Sequence, residues 1–142
     1  MTQAMCNTFK KELWEAKHNF LASGGHVFKI ALYTSSASLG AGTNTYSATN
    51  EVSHASYNAG GFTLTNVNPS LSGNTVMVTF SSNPVWNNIT LSDVTQALIW
   101  NTSVSDRAVA VLDFGGNQPV TMGTFTINLP PVTATTALLR LT

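Results

Sequence analysis

Charge is scarce in this chain. Only 8% of its 142 residues are Asp, Glu, Lys or Arg, against about 25% in an average soluble protein. Acidic and basic groups cancel at six each, so there is no basic footprint for nucleic acid or for an anionic membrane surface. Between Ile30 and Ser92 the only charged side chain is Glu51. Cysteine is almost missing too. Cys6 stands alone, which excludes an internal disulfide and a cysteine-based zinc site. No apolar run approaches the ~18 residues of a membrane helix. Met1–Cys6 is mixed in polarity and no signal-peptide core follows, so the chain is expected to be made and kept in the cytoplasm, leaving only by lysis or assembly.

The usual constellations of chemistry are also lacking. His18, His26 and His54 show no HxH or HExxH spacing, so structural or solvated roles are expected for them. There is no GxSxG elbow. Gly40, Gly42, Gly60 and Gly61 lack the spacing of a phosphate-cradling loop. A glycosidase needs two carboxylates about 5–10 Å apart across a cleft. Glu51 with Asp113 is the pair to consider, but turn and strand-end roles suit Asp93, Asp106 and Asp113 better. Asn88-Ile89-Thr90 and Asn101-Thr102-Ser103 match the glycosylation sequon by chance in so Asn-, Ser- and Thr-rich a chain. No cofactor or metal is expected.

What is present is strand. Gln96–Gly116, QALIWNTSVSDRAVAVLDFGG, holds two apolar runs, Ala97–Trp100 and Ala108–Leu112, around a short polar spacer. Runs of this kind suit strands buried on both faces, paired as a hairpin with Trp100 near Arg107 and Ala108. Further strands are expected at His26–Thr34, around Phe62 and Leu64, at Thr75–Phe80, from Val85 to Leu91, at Thr124–Leu129 and at Leu138–Leu141. Asn68-Pro69, Ser72-Gly73-Asn74 and Asn83-Pro84 mark turns. Ser35–Asn50, rich in Ser, Ala, Gly, Thr and Asn, reads as an exposed loop or extended arm tethered by Leu39 and Tyr46.

Before the first strand, Phe9, Leu13, Ala16 and Phe20 recur at helical spacing, widened by Trp14 and Leu21. This predicts an amphipathic helix of about four turns, capped by Asn7 or Thr8 and stopped at Gly24-Gly25. Its apolar stripe is expected to pack on its own β domain rather than on another subunit. The organisation is a helical segment over residues 1–25 and a β domain over 26–142. About eight strands with frequent turns indicate a mainly β chain, an antiparallel β-sandwich of jelly-roll or immunoglobulin-like type. Such a weakly charged surface associates readily, which fits one covered by neighbours in an assembly; an ordinary β domain solubilised by Thr and Asn fits the composition equally well.

Several blocks carry a resemblance. AMCNTFKKELWEAKHNF, FKIALYTSSASLGAGTNTYSATNEV, YNAGGFTLTN, ALIWNTSVSDRAVAVLDFGG and GTFTINLP resemble a family of small virion proteins of tailed bacteriophages. The resemblance spans nearly the whole chain. In that family a glycine is common shortly after the TNEV block, where this chain has Ser53, His54 and Ala55. The resemblance implies a non-enzymatic structural role in the virion, with the particle assembled in the host cytoplasm. A capsid decoration (cement) protein is the leading expectation, its partners being the major capsid protein, further copies of itself, or both. A tail-associated or receptor-binding module, with tail proteins as partners, is the alternative. Phe9, Leu13, Trp14, Leu39, Tyr46 and Trp86 are the candidate interface residues. Trp86, followed by Asn87 and Asn88, suits either a glycan-contacting surface or a strand end.

Overall fold

The two apolar runs singled out above become the middle of an antiparallel sheet. In a computed structural model, which describes residues 2–142, the elements in chain order are β1 (Thr2–Met5), α1 (Asn7–Trp14), β2 (Phe28–Tyr33), β3 (Phe62–Thr63), β4 (Ser70–Ser72), β5 (Thr75–Val78), β6 (Val85–Leu91), β7 (Gln96–Asn101), β8 (Arg107–Asp113), β9 (Val120–Thr126) and β10 (Leu139–Leu141). The chain is mainly β, and every strand pair is antiparallel. A five-stranded sheet has the order β1-β8-β7-β2-β3, a three-stranded sheet the order β10-β5-β4, and β6 pairs with β9. Ten strands thus stand among the described residues where about eight were expected. The additions are β1 and β4, both short and polar, which no apolar alternation marks.

Trp100 pairs with Ala108 and Asn101 with Arg107, the expected hairpin register, after a bulge that leaves Val109 between the partners. Strands β2, β7 and β8 are buried along almost their whole length. Strand alternation sorts their side chains. Phe28, Ile30 and Leu32 share one face with Ile99, Ala97 and Leu112; Ala31, Tyr33, Leu98 and Val111 share the other. On the first face Phe28 stacks on Phe20 at 4.3 Å, and Phe20 meets Phe9 of α1 edge-on at 6.0 Å. Over Trp100, Tyr46 stacks at 4.1 Å.

The segment expected to be an exposed loop or arm is therefore folded onto the sheet. Thr45 bridges Arg107, the Ala108 N–H donates to the Asn44 carbonyl, and Tyr33 Oη donates to the Ser47 carbonyl at 2.7 Å. The aromatic pairing of Tyr46 with Trp100 outweighs the loop entropy that composition alone suggests. The return of this segment to the sheet passes through Gly61, at φ +87°. A Cβ there would lie 1.8 Å from the Ile30 carbonyl oxygen, so β2 can be approached this closely only by glycine.

The helix is shorter than its periodicity predicts. α1 spans eight residues rather than about four turns, and its N-cap is Cys6, not Asn7 or Thr8. Cys6 is held there because its N–H continues the β1–β8 ladder to the Val109 carbonyl. The C-terminus closes in a Schellman pattern: the Lys17 N–H donates to the Glu12 carbonyl and the Ala16 N–H to the Leu13 carbonyl, with Ala16 left-handed at φ +55°. Past this point Phe20 is buried from a segment outside any helix or strand, so Ala16 and Phe20 do not share a helical stripe with Phe9 and Leu13. Packing of Phe20 on Phe28 overrides the local helical pattern. The first 25 residues supply the edge strand β1 of the five-stranded sheet as well as the helix.

Candidate interaction face

α1, the chain that follows it and the three-stranded sheet enclose an apolar groove. Met5, Phe9, Leu13 and Phe20 form one wall and Val78 and Leu139 the other, around a volume of about 460 Å³. The register places Leu71, Val76 and Leu141 in one row across β4, β5 and β10. All three stay exposed, Leu71 at 69%. On the outer side of α1, Trp14 is 93% exposed. Single exposed apolar residues are ordinary, but an almost bare tryptophan is not.

α1 is anchored by a buried polar network. Glu12 is 1% exposed. Its Oε2 accepts from His18 Nε2 at 2.8 Å, and Arg107 Nη2 lies 2.6 Å from Oε1 as an ion pair outside hydrogen-bond alignment. The Asn101 amide then fixes two imidazoles. Its Oδ1 accepts the Ser103 N–H at 3.0 Å, which sets the orientation of the amide. Its Nδ2 donates to His18 Nδ1 and to His26 Nδ1, each at 3.0 Å. Both Nδ1 atoms are acceptors, so both rings are neutral Nε2–H tautomers. Burial lowers the His18 pKa below its ordinary value, with Glu12 opposing and the Arg107 charge adding to the shift. Burial likewise pushes the Cys6 thiol up to about 11, which leaves it a poor nucleophile.

A second network surrounds Glu51. Its Oε1 accepts from Tyr57 Oη at 2.6 Å and from the Gly60 N–H at 2.7 Å, and its Oε2 accepts from Tyr46 Oη at 2.5 Å. Trp100 Nε1 donates to the Gly60 carbonyl at 3.1 Å, and the Leu32 N–H donates to Tyr57 Oη. Burial first, and the neighbouring carboxylate with it, raises the pKa values of Tyr33, Tyr46 and Tyr57 above the ordinary phenol range. These contacts clamp the 45–61 segment to the sheet. Asp113, the other carboxylate of the sequence-level pair, sits at the end of β8 and accepts the Gly115 N–H.

The six candidate interface residues do not form one surface. Trp14 is fully outward, and Leu13 is half-buried in the wall of the groove. Phe9 is a core residue. Leu39 and Tyr46 are half-buried and packed against the core on the loop side. Trp86 is 6% exposed, enclosed by Tyr57, Phe62 and Phe125 with ring centroids about 6 Å away. It is a packing residue, not a glycan platform: β6 turns it inward while Asn87 and Asn88 face out. Sequence reasoning missed Leu71 and Val76 as surface apolar residues, because β-sheet alternation gives them the same signal as core residues. It also missed the Glu12–His18–Asn101–His26 network, whose members are far apart in the chain.

Among the described residues no helix is long and apolar enough to cross a membrane, and no three His, Cys, Asp or Glu side chains are grouped to hold a metal ion. Comparison with protein-family models, with curated protein sequences and with solved structures finds no match.

Proposed function

We propose that this chain is a structural protein of a tailed-bacteriophage virion, and within the virion a capsid decoration (cement) protein that docks on the lattice of the major capsid protein through its N-terminal side. The observation that carries this reading is Trp14, 93% exposed on a helix whose other side is tied to the sheet by Glu12, His18 and Arg107. A rigidly presented tryptophan loses little entropy on binding and is a common anchor of protein interfaces. The exposed row Leu71, Val76 and Leu141 adds a further apolar surface, and the low charge lessens the desolvation penalty of covering it. The role is non-enzymatic. Glu12 and Glu51 are engaged by internal partners, His18 and Arg107 on the one and Tyr46, Tyr57 and the Gly60 N–H on the other. In this reading the fold is an antiparallel β-sandwich, with the five-stranded sheet as one layer and the β10-β5-β4 and β6-β9 sheets as the other.

A tail-associated role draws support from one feature, a hydroxyl-rich hollow of about 610 Å³ lined by residues such as Ser36, Thr43, Ser47 and Asn50. Copy number separates the two. Quantitative mass spectrometry of purified particles should give a ratio near one copy per few major capsid subunits. A ratio matching tail components would overturn the capsid placement.

A further inference from the structure

Two open strand edges face one cavity. β1 is the outermost strand of the five-stranded sheet and β10 the outermost of the three-stranded sheet. Between them lies a hollow of about 530 Å³, lined by Gln3 and Met5 from one side and by Leu138–Thr142 from the other. It runs into the apolar groove under α1, with Met5, Leu139, Arg140 and Leu141 common to both.

The register says which backbone groups are open. Met5 pairs with Ala110, so Cys6 stands opposite Val109, and the Cys6 N–H donates to the Val109 carbonyl. In an antiparallel ladder the bonded pairs alternate. The N–H groups of Thr2, Ala4 and Cys6 therefore point at β8, and those of Gln3, Met5 and Asn7 point away. The Asn7 N–H is taken by the Ala41 carbonyl. Gln3 and Met5 are left with their N–H and C=O groups directed at the seam.

We infer that this seam receives an extended segment of another protein, which adds as a strand between β1 and β10 and joins the two sheets. Three features specify the segment. Unpaired main chain on both sides requires an extended backbone. The apolar groove below requires apolar side chains at alternate positions. The charged side chains lining seam and groove are Lys10 and Arg140, both cationic, so the segment carries a carboxylate. A second copy of this chain does not offer such a strand. Among the described residues its other open edges belong to β3, β4, β6 and β9, none of which holds an acid. Its own carboxylates lie elsewhere: Glu15, for one, is paired with Lys11 and Lys17. The inference deepens the docking reading above, and rests on it only in taking the donor of the strand to be a capsid subunit.

The test uses the full chain and a synthetic peptide of about six residues, the length of an average strand, alternating valine and threonine with one terminal glutamate. Hydrogen exchange is followed residue by residue. Strand addition predicts that the peptide slows exchange at Gln3 and Met5 and within β10, while Thr2 and Ala4 change little. Gln3→Pro removes an outward N–H that bonds to nothing in the sheet, and should abolish the effect. Should that variant unfold, Lys10→Glu combined with Arg140→Glu keeps the question open to test, and is expected to weaken the glutamate peptide about tenfold or more while sparing its glutamine counterpart. Absence of protection at Gln3 and Met5, or protection at β3 or β4 instead, overturns the inference. Protection that grows with protein concentration and needs no peptide also overturns it, because the occupant is then a second copy. None of these outcomes bears on particle copy number, so the seam and the capsid placement fail separately.

Discussion

Acidification should loosen the attachment of the N-terminal segment through His18. The side chain of His18 has no exposed surface. Its Nε2–H is directed at Glu12, and its Nδ1 is occupied by the Asn101 amide. A proton added at Nδ1 would set two donors against each other, beside a second imidazole and Arg107. The folded pKa lies below the ordinary value of 6.5. The folded state then binds fewer protons than the unfolded state at mildly acid pH, so the contribution to stability is full above about 6.5 and is lost as the pH falls below it. The slope is at most about 1.4 kcal/mol per pH unit, which gives an upper bound of about 2 kcal/mol between pH 6.5 and 5. Glu15 does not blur this window. Lys17 and Lys11 hold its carboxyl at about 2, so its own contribution is present above about 4.5 and declines only below that. The assay is urea unfolding at pH 7.5 and pH 5.0 for the parent and for His18→Gln. The parent is expected to lose up to about 2 kcal/mol more than the variant over that interval, or roughly 4–8 °C in Tm for a domain near this size. Equal losses in the two proteins would refute the tautomer assignment built on Asn101.

The other predictions concern packing and surface. Trp100→Ala should cost about 3–5 kcal/mol, since it removes a buried indole, its stack on Tyr46 and its bond to the Gly60 carbonyl; a loss under about 1 kcal/mol in chemical denaturation would contradict the loop-on-sheet packing. Gly61→Ala should be among the most damaging single changes, because a Cβ would lie 1.8 Å from the Ile30 carbonyl oxygen at a left-handed φ; an unchanged melting temperature would show that β2 and β3 are not this close. Glu51→Ala strands three internal donors and should cost about 2–4 kcal/mol, with limited proteolysis opening first within residues 45–61. Trp14→Ala should change stability by less than about 0.5 kcal/mol and yet lower particle binding, the reverse of the pattern expected of Trp100→Ala.

The sequence made the buried centre of this fold legible and its margins much less so. The runs at Ala97–Trp100 and Ala108–Leu112 are apolar on both faces, a pattern only an interior strand needs, and their pairing follows from a spacer too short for anything but a hairpin. β2 announces itself by alternation, whereas the alternating Phe125, Ile127 and Leu129 point to a strand at 124–129 and β9 in fact spans Val120–Thr126, set by its pairing with β6. The strands β1 and β4 do not announce themselves, since Thr2–Met5 and Ser70–Ser72 become strands through the neighbours that accept their backbone bonds rather than through their own side chains. The periodicity overextends the helix for the opposite reason. Phe20 sits at helical spacing from Phe9, but both reach Phe28's side of the sheet by different routes, and spacing cannot tell a continuous stripe from two separate visits to one core. The candidate site shows the same division. Trp14 can be picked out as a tryptophan on a helix, but whether it faces in or out depends on where that helix ends. Trp86 lay beside two asparagines, and the inward turn of β6 decides its place. The Asn101 centre depends on contacts between residues as much as 83 positions apart, which no local pattern reports.

The docking of the N-terminal side is the central claim, and lysine labelling tests it most directly. Lys10, Lys11 and Lys17 lie on or just after α1, whereas Lys29 lies on β2 near Gly60 on the opposite face of the sheet. Purified protein and intact particles would be acetylated in parallel and the rate at each lysine read by mass spectrometry. The account predicts that Lys10 and Lys11 label more slowly in particles than in the free protein, with Lys29 little changed. Equal rates at Lys10 and Lys11 in the two samples would contradict it.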